Sequence, residues 1–73
     1  MKPWRYSAHA LERMDEAEAT YGEVEETLAR PFAVRPGHSR RVNYYRSIDG
    51  FAIRVTLLPR IRLIITVYKE PLP

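Results

Sequence analysis

The chain has 73 residues, 12 basic and nine acidic side chains, and no cysteine. That length allows a single domain, residues 1–73, which buries only about 60–65% of its unfolded surface; the missing cysteine excludes a disulfide framework and any thiolate metal site. No run approaches the roughly 18 apolar residues of a bilayer span, and Met1-Lys2-Pro3-Trp4-Arg5 lacks the apolar stretch of a signal peptide, so a soluble cytoplasmic protein is expected.

Ser7 is a good N-cap, and Ala8 to Glu18 holds helix formers without Gly or Pro. Ala8, Leu11 and Met14 form a narrow apolar stripe; His9 and Arg13 share another face at i, i+4, and Glu12 and Glu16 face solvent. Thr20 followed by Glu23 is a capping-box pattern opening a second helix, with Tyr21, Val24 and Leu28 as its buried stripe. Pro31 ends that helix by pushing Arg30 out of the α region. Both helices are too short to hold alone in water and need a sheet to pack on.

After Pro31 the period falls to two. Phe32 to Arg35 reads as a short edge strand closed by Pro36-Gly37, and Arg40 to Ser47 alternates. Asp49-Gly50 is a hairpin turn signal, followed by a strand from Phe51 to Leu58 with Phe51, Ile53, Val55 and Leu57 on one face. Pro59-Arg60 turns the chain again; Ile61, Leu63, Ile65 and Val67 continue the apolar face, leaving Arg62, Ile64, Thr66 and Tyr68 opposite. The expected fold is α+β: two N-terminal helices on a three- to four-stranded antiparallel sheet.

A tight turn at Asp49-Gly50 fixes the first hairpin's register. It pairs Ile48 with Phe51, Tyr45 with Arg54 and Asn43 with Thr56. In the second hairpin, paired residue numbers summing to 118 or 120 keep the apolar faces together, and 120 sets Arg54 beside Thr66. The face away from the helices then collects Arg41, Asn43, Tyr45, Arg54, Thr56, Arg62, Thr66 and Tyr68, without glutamate or lysine.

Charge supports that division. Seven of the nine acids lie between Glu12 and Glu26, whereas Arg30 to Arg62 holds eight arginines and one acid, Asp49, a net +7. Arginine forks suit phosphate oxygens and tyrosine rings stack on exposed bases, so the face suits RNA, with Arg41, Asn43, Tyr45, Thr56 and Arg62 as binding residues. The plainer reading is a solvated sheet face. His9, near a helix start, can accept or donate a proton near neutrality; the plainer reading is a first-turn histidine bonding a loop. His38, in Pro36-Gly37-His38-Ser39, reads as an exposed turn residue rather than a catalyst. Paired carboxylates outside the acidic helices are missing, so no metal and no cofactor is expected. RNA cleavage would then use the substrate's own 2′-hydroxyl.

Tyr6-Ser7-Ala8-His9-Ala10-Leu11-Glu12-Arg13-Met14 resembles the opening S-x-H-A-x-x-R-M of the small bacterial domain-of-unknown-function 4258 family. The resemblance continues through a T-x-x-E-V-x-x-x-L second helix and ends in Ile65-Thr66-Val67-Tyr68, similar to the family's terminal T-V-Y strand. Where family members carry arginine-glycine before the second helix, this chain has Glu16-Ala17-Glu18-Ala19. The resemblance implies a barnase-like or RelE-like fold, metal-independent ribonuclease activity and use as a toxin with a cognate acidic antitoxin. It matches His9 and Arg13 to the opening motif and Thr66 and Tyr68 to the terminal strand; Arg54 comes from the register argument.

Three readings stay open. The first is a toxin-type endoribonuclease, acting on free or ribosome-bound RNA, with His9, Arg13, Arg54, Thr66 and Tyr68 as its catalytic group. The second is a non-catalytic RNA- or ribosome-binding module, and the third a protein-interaction domain whose basic face meets an acidic partner. A homodimer joining acidic helices to basic strands is compatible with each.

Overall fold

A computed structural model describes residues 3–73; Met1 and Lys2, part of the stretch read for a leader, lie outside the described residues. Two helices pack on one face of a five-stranded mixed sheet. The elements run β1 (Arg5–Tyr6), α1 (Ala8–Ala17), α2 (Tyr21–Ala29), β2 (Ala33–Pro36), β3 (Val42–Ile48), β4 (Phe51–Leu58) and β5 (Leu63–Pro71), and the sheet order is β1-β5-β4-β3-β2. The expectation of three or four antiparallel strands is corrected at the amino end. Arg5 and Tyr6 pair in parallel with Leu63 and Ile64, a two-residue strand too short to show a period. Among the described residues no helix is long and apolar enough to cross a membrane.

Both helix starts are held by the caps the sequence predicts. The Ser7 hydroxyl accepts from the Ala10 N–H at 3.0 Å. Thr20 accepts from the Glu23 N–H at 3.0 Å while the Glu23 carboxylate accepts from the Thr20 N–H at 2.9 Å, satisfying two orphan donors reciprocally. α2 stops at Ala29, one residue before the Arg30-Pro31 pair. Between the helices Glu18 takes the left-handed conformation, φ 56°.

The buried stripes differ from the expected ones by a small rotation. In α1 the core residues are Ala10 and Met14, whereas Leu11 is 43% exposed. The small Ala10 lets the helix lie close over β5, and Leu11 swings to the groove between the helices, which it lines with Met14, Ala19 and Tyr21. In α2, Val24 and Thr27 are buried and Leu28 is half-buried, but Tyr21 is 56% exposed. Its ring meets Tyr6 edge-on at 5.0 Å. The Thr27 hydroxyl donates to the Glu23 carbonyl at 2.8 Å, which satisfies its one donor inside an apolar core.

The first hairpin has the expected register throughout, from Ile48 opposite Phe51 to Val42 opposite Leu57. Asp49 and Gly50 both have positive φ, 49° and 83°, the requirement of a type I′ turn. The second hairpin does not follow expectation. Val55 faces Val67 and Thr56 faces Thr66, so paired numbers sum to 122; then a bulge sets Leu57 opposite Ile64. Arg54 therefore lies beside Tyr68, not Thr66. The bulge also reverses the alternation: Ile64 enters the core with Val67, and Leu63 leaves it. Leu63-Ile64-Ile65 is apolar at every position, so pattern cannot select the inward residue. β1 selects it, since the Ser7 N–H donates to the Ile64 carbonyl at 3.0 Å and the Ser7 hydroxyl to that of Ile65 at 2.8 Å.

Candidate nucleic-acid interface

β4 is the middle strand, so its outward residues occupy the centre of the face that the helices leave open. Arg54 and Thr56 alternate there with Ile53, Val55 and Leu57, which are buried against the helices. Tyr45 and Asn43 stand beside them on β3, Tyr68 and Thr66 on β5. Arg35, opposite Asn43 on β2, extends the face toward the sheet edge. Arg41 is exposed at the start of β3. The structure thus brings together seven of the eight residues expected on this face.

Arg62 is the exception. It precedes the bulge, so it has the inward parity of Ile64. Its guanidinium stacks over Trp4, 4.4 Å from the ring centroid, rather than joining the open outer face. Glu70 is the second correction. β5 runs to Pro71, beyond the expected end, and Ala52 pairs with Glu70, so a glutamate does lie on the outer face. The Tyr68 hydroxyl donates to its carboxylate at 3.0 Å.

Arg54 holds the centre. Its guanidinium lies 5.1 Å from the Tyr68 ring centroid, within cation–π range. Its Nε is buried and has no acceptor among the described residues, as is also true of Arg46 Nε, whereas most buried donors are paired. Two open depressions share this arginine. One, of about 150 Å³, is lined by Tyr45, Ala52, Ile53, Tyr68 and Glu70. The other, of about 210 Å³, is lined by Gly37, His38, Arg41, Asn43 and Thr56. Thr56, only 8% exposed, donates its hydroxyl to Asn43 Oδ1 at 2.6 Å, so this pair stiffens the floor between the two strands.

Around Tyr68, hydrogen bonding to Glu70 and the charge of that carboxylate push the phenol above its ordinary range, against the opposing pull of Arg54 and Arg13. Arg13 thus lies within electrostatic reach of Tyr68, although α1 packs on the other side of the sheet. α1 runs along β5, tied at one end by Ser7 to Ile65 and at the other by the Lys69 ammonium, which donates to the Glu18 carbonyl. β1 covers only Leu63 and Ile64, so beyond them β5 is the sheet's edge. Arg13 also pairs with Glu16 at 3.4 Å, an exposed contact of little energetic weight. His9 is exposed one turn earlier on α1 and lines neither depression. Arg54 and Tyr68 are thus in contact across β4 and β5, while His9 stands on the exposed surface of α1.

Two residues of the site were not found from sequence. The sequence around His38 describes a turn; the residue is exposed, and it shares its depression with Arg41 and Arg54. Pairing Pro36 with Val42 would have exposed this, because that register hangs the loop at the end of β3 beside Asn43. Glu70 would have followed from carrying the alternation of β5 two residues further. Comparison with protein-family models, with curated proteins and with solved structures found no match to this chain.

Proposed function

We propose that the outer sheet face binds single-stranded RNA and that the chain cleaves it without a metal, as a toxin-type endoribonuclease. The observation that carries this reading is Arg54: a central guanidinium with a buried Nε lacking an acceptor, set between a tyrosine-lined depression and a basic one. A phosphodiester offers the missing acceptor, and bases offer faces to Tyr45 and Tyr68. In the reaction, O2′ bonds to phosphorus as the P–O5′ bond breaks, giving a 2′,3′-cyclic phosphate and a 5′-hydroxyl end. The 2′-hydroxyl proton passes to a base and the departing O5′ takes one from an acid. Arg54 stabilises the charge that gathers on phosphorus. Tyr68 stays protonated well past neutrality and serves as the acid, with Thr66 on the same face of β5. An acidic protein partner, the antitoxin of such a pair, is complementary to the same face.

The test incubates labelled mixed-sequence RNA with the protein in EDTA, alongside Arg54→Gln and His9→Ala. Cleavage with cyclic phosphate ends, reduced at least about 100-fold in Arg54→Gln, is the expected result. The engagement of the Tyr68 hydroxyl by Glu70 favours one alternative, a non-catalytic RNA- or ribosome-binding module. RNA left intact, both free and as ribosome-bound message, together with salt-sensitive binding, establishes that alternative instead.

A further inference from the structure

The depression at the carboxyl end of β2 gathers one imidazole, two guanidiniums, a carboxamide and a hydroxyl, and no carboxylate lines it. We infer that it is the phosphate subsite of the outer face, taking one phosphodiester of an RNA strand, and that His38 is the proton acceptor there. The inference rests on the RNA reading of that face.

The loop that carries His38 is built rather than slack. The Gly37 N–H donates to the Arg41 carbonyl at 2.8 Å and the Arg41 N–H to that of His38 at 3.0 Å, closing the loop on itself. Ser39 and Arg40 are both left-handed, φ 53° and 65°, a conformation that non-glycine residues hold only where the surroundings enforce it, and one that gathers at functional sites. Gly37 is closely packed: a Cβ there would lie 3.1 Å from Asn43 Nδ2 and 3.4 Å from the Arg41 carbonyl, so the Asn43 carboxamide would have to give way. Since Asn43 Oδ1 is occupied by Thr56, the free end of that carboxamide is its donor end, turned toward the loop. The mouth thus offers two guanidiniums and a carboxamide donor, with an imidazole able to act either way, while the Thr56 proton is spent on Asn43.

Arg54 connects this subsite to the neighbouring depression lined by Tyr45 and Tyr68. A phosphodiester at His38 places an adjoining base over those rings, and the strand then crosses β3, β4 and β5. In the cleavage step the neutral His38 imidazole takes the 2′-hydroxyl proton as O2′ bonds to phosphorus. The P–O5′ bond breaks and O5′ is protonated by Tyr68, so protons and bonds balance. His9 has no part in it.

The test follows the ring signals of both histidines by NMR in the full chain. The probe is a dinucleoside monophosphate with a 2′-deoxy first sugar, which carries one phosphodiester and cannot cleave. A saturable shift at His38 is expected, with His9 unmoved and binding at least tenfold weaker in Arg41→Gln and Arg54→Gln. Equal shifts at His9, or a His38 shift that both variants retain, overturn the subsite. So does inorganic phosphate that saturates the site and is not displaced by the dinucleotide, since the pocket then serves a free anion. An RNA cleavage arm separates this inference from the reading beneath it. A responsive His38 with RNA intact in every tube sinks the nuclease reading and leaves the phosphate subsite standing. Cleavage by the native chain that His38→Ala fails to slow at least 100-fold overturns the proton-accepting role.

Discussion

Lys69 and Arg54 are cations in adjoining strands, on opposite faces of the sheet, and their surroundings differ in kind. Lys69 is on the inner face. Its ammonium donates to the Glu18 carbonyl and to both Glu23 oxygens at 3.1 Å, and lies 4.6 Å from the Phe51 ring centroid. Its side chain is 10% exposed and that of Glu23 18%. Arg54, on the outer face, touches one ring and keeps its Nε without an acceptor. The first cation is consumed by the fold, since it joins the inter-helix turn, the start of α2 and the sheet. The second is half-committed, which is what a ligand-binding group requires. A count of basic residues treats the two alike.

Breaking the inner pair gives the largest expected effect. Lys69→Ala leaves the Glu23 carboxylate shielded and without its cation, which costs about 2–3 kcal/mol, read by denaturant unfolding. That is a large share of the roughly 4–11 kcal/mol of a domain this size. The same pair sets an acid limit. Burial alone would push Glu23 up, but the Thr20 N–H and the Lys69 ammonium outweigh it and hold its carboxyl below the ordinary 4.5. A depressed carboxylate contributes stability that is present above its unfolded pKa and is lost as pH falls through the folded value. Stability should therefore drop below about pH 4.5, and Glu23→Gln should flatten that slope. A Lys69→Ala variant as stable as the native chain would erase the distinction between the two cations.

Arg54→Gln tests the other half. It should change stability by less than about 1 kcal/mol, the worth of one exposed cation–π contact. RNA binding should nevertheless weaken about tenfold, with a log–log salt slope shallower by about 0.7, the loss of one phosphate contact on a single strand. Lost stability comparable with that of Lys69→Ala would make Arg54 a structural residue and leave the outer face without its centre.

How much of this was legible in the sequence follows from where local signals suffice. Caps and turns are local chemistry, so Ser7, Thr20 with Glu23, Pro31 and Asp49-Gly50 were readable at sight. A tight two-residue turn also propagates its register, which fixed Arg54 beside Tyr45 and Thr56 beside Asn43. The second hairpin lacked such an anchor. Its register depends on β1, two residues that arrive from the far end of the chain, and on Ser7 taking the carbonyl of the bulged Ile65. That dependence misplaced Arg62, Ile64 and the partner of Arg54. His38 was missed because a Pro-Gly-His-Ser stretch describes a turn and says nothing of which strands flank it. The expectation for His9 came from its place near a helix start and from resemblance, and the structure puts it on the exposed surface of α1.

The smallest effect concerns the turn that Lys69 grips. Glu18 is left-handed at φ 56°, which costs a non-glycine residue about 1–2 kcal/mol. Glycine removes that strain but adds unfolded-chain entropy worth about 0.5–1 kcal/mol. Glu18→Gly should therefore stabilise the chain by about 0.5 kcal/mol, raising Tm by about 2–4 °C. Lys69 bonds the backbone carbonyl of residue 18, not its side chain, so the substitution leaves that bond in place. Combined with Lys69→Ala, the two changes should add within about 0.5 kcal/mol if the ammonium merely docks on a turn that the helix ends already define. A coupling beyond that would mean that Lys69 itself holds the left-handed turn, and that the inner cation shapes the backbone as well as neutralising Glu23.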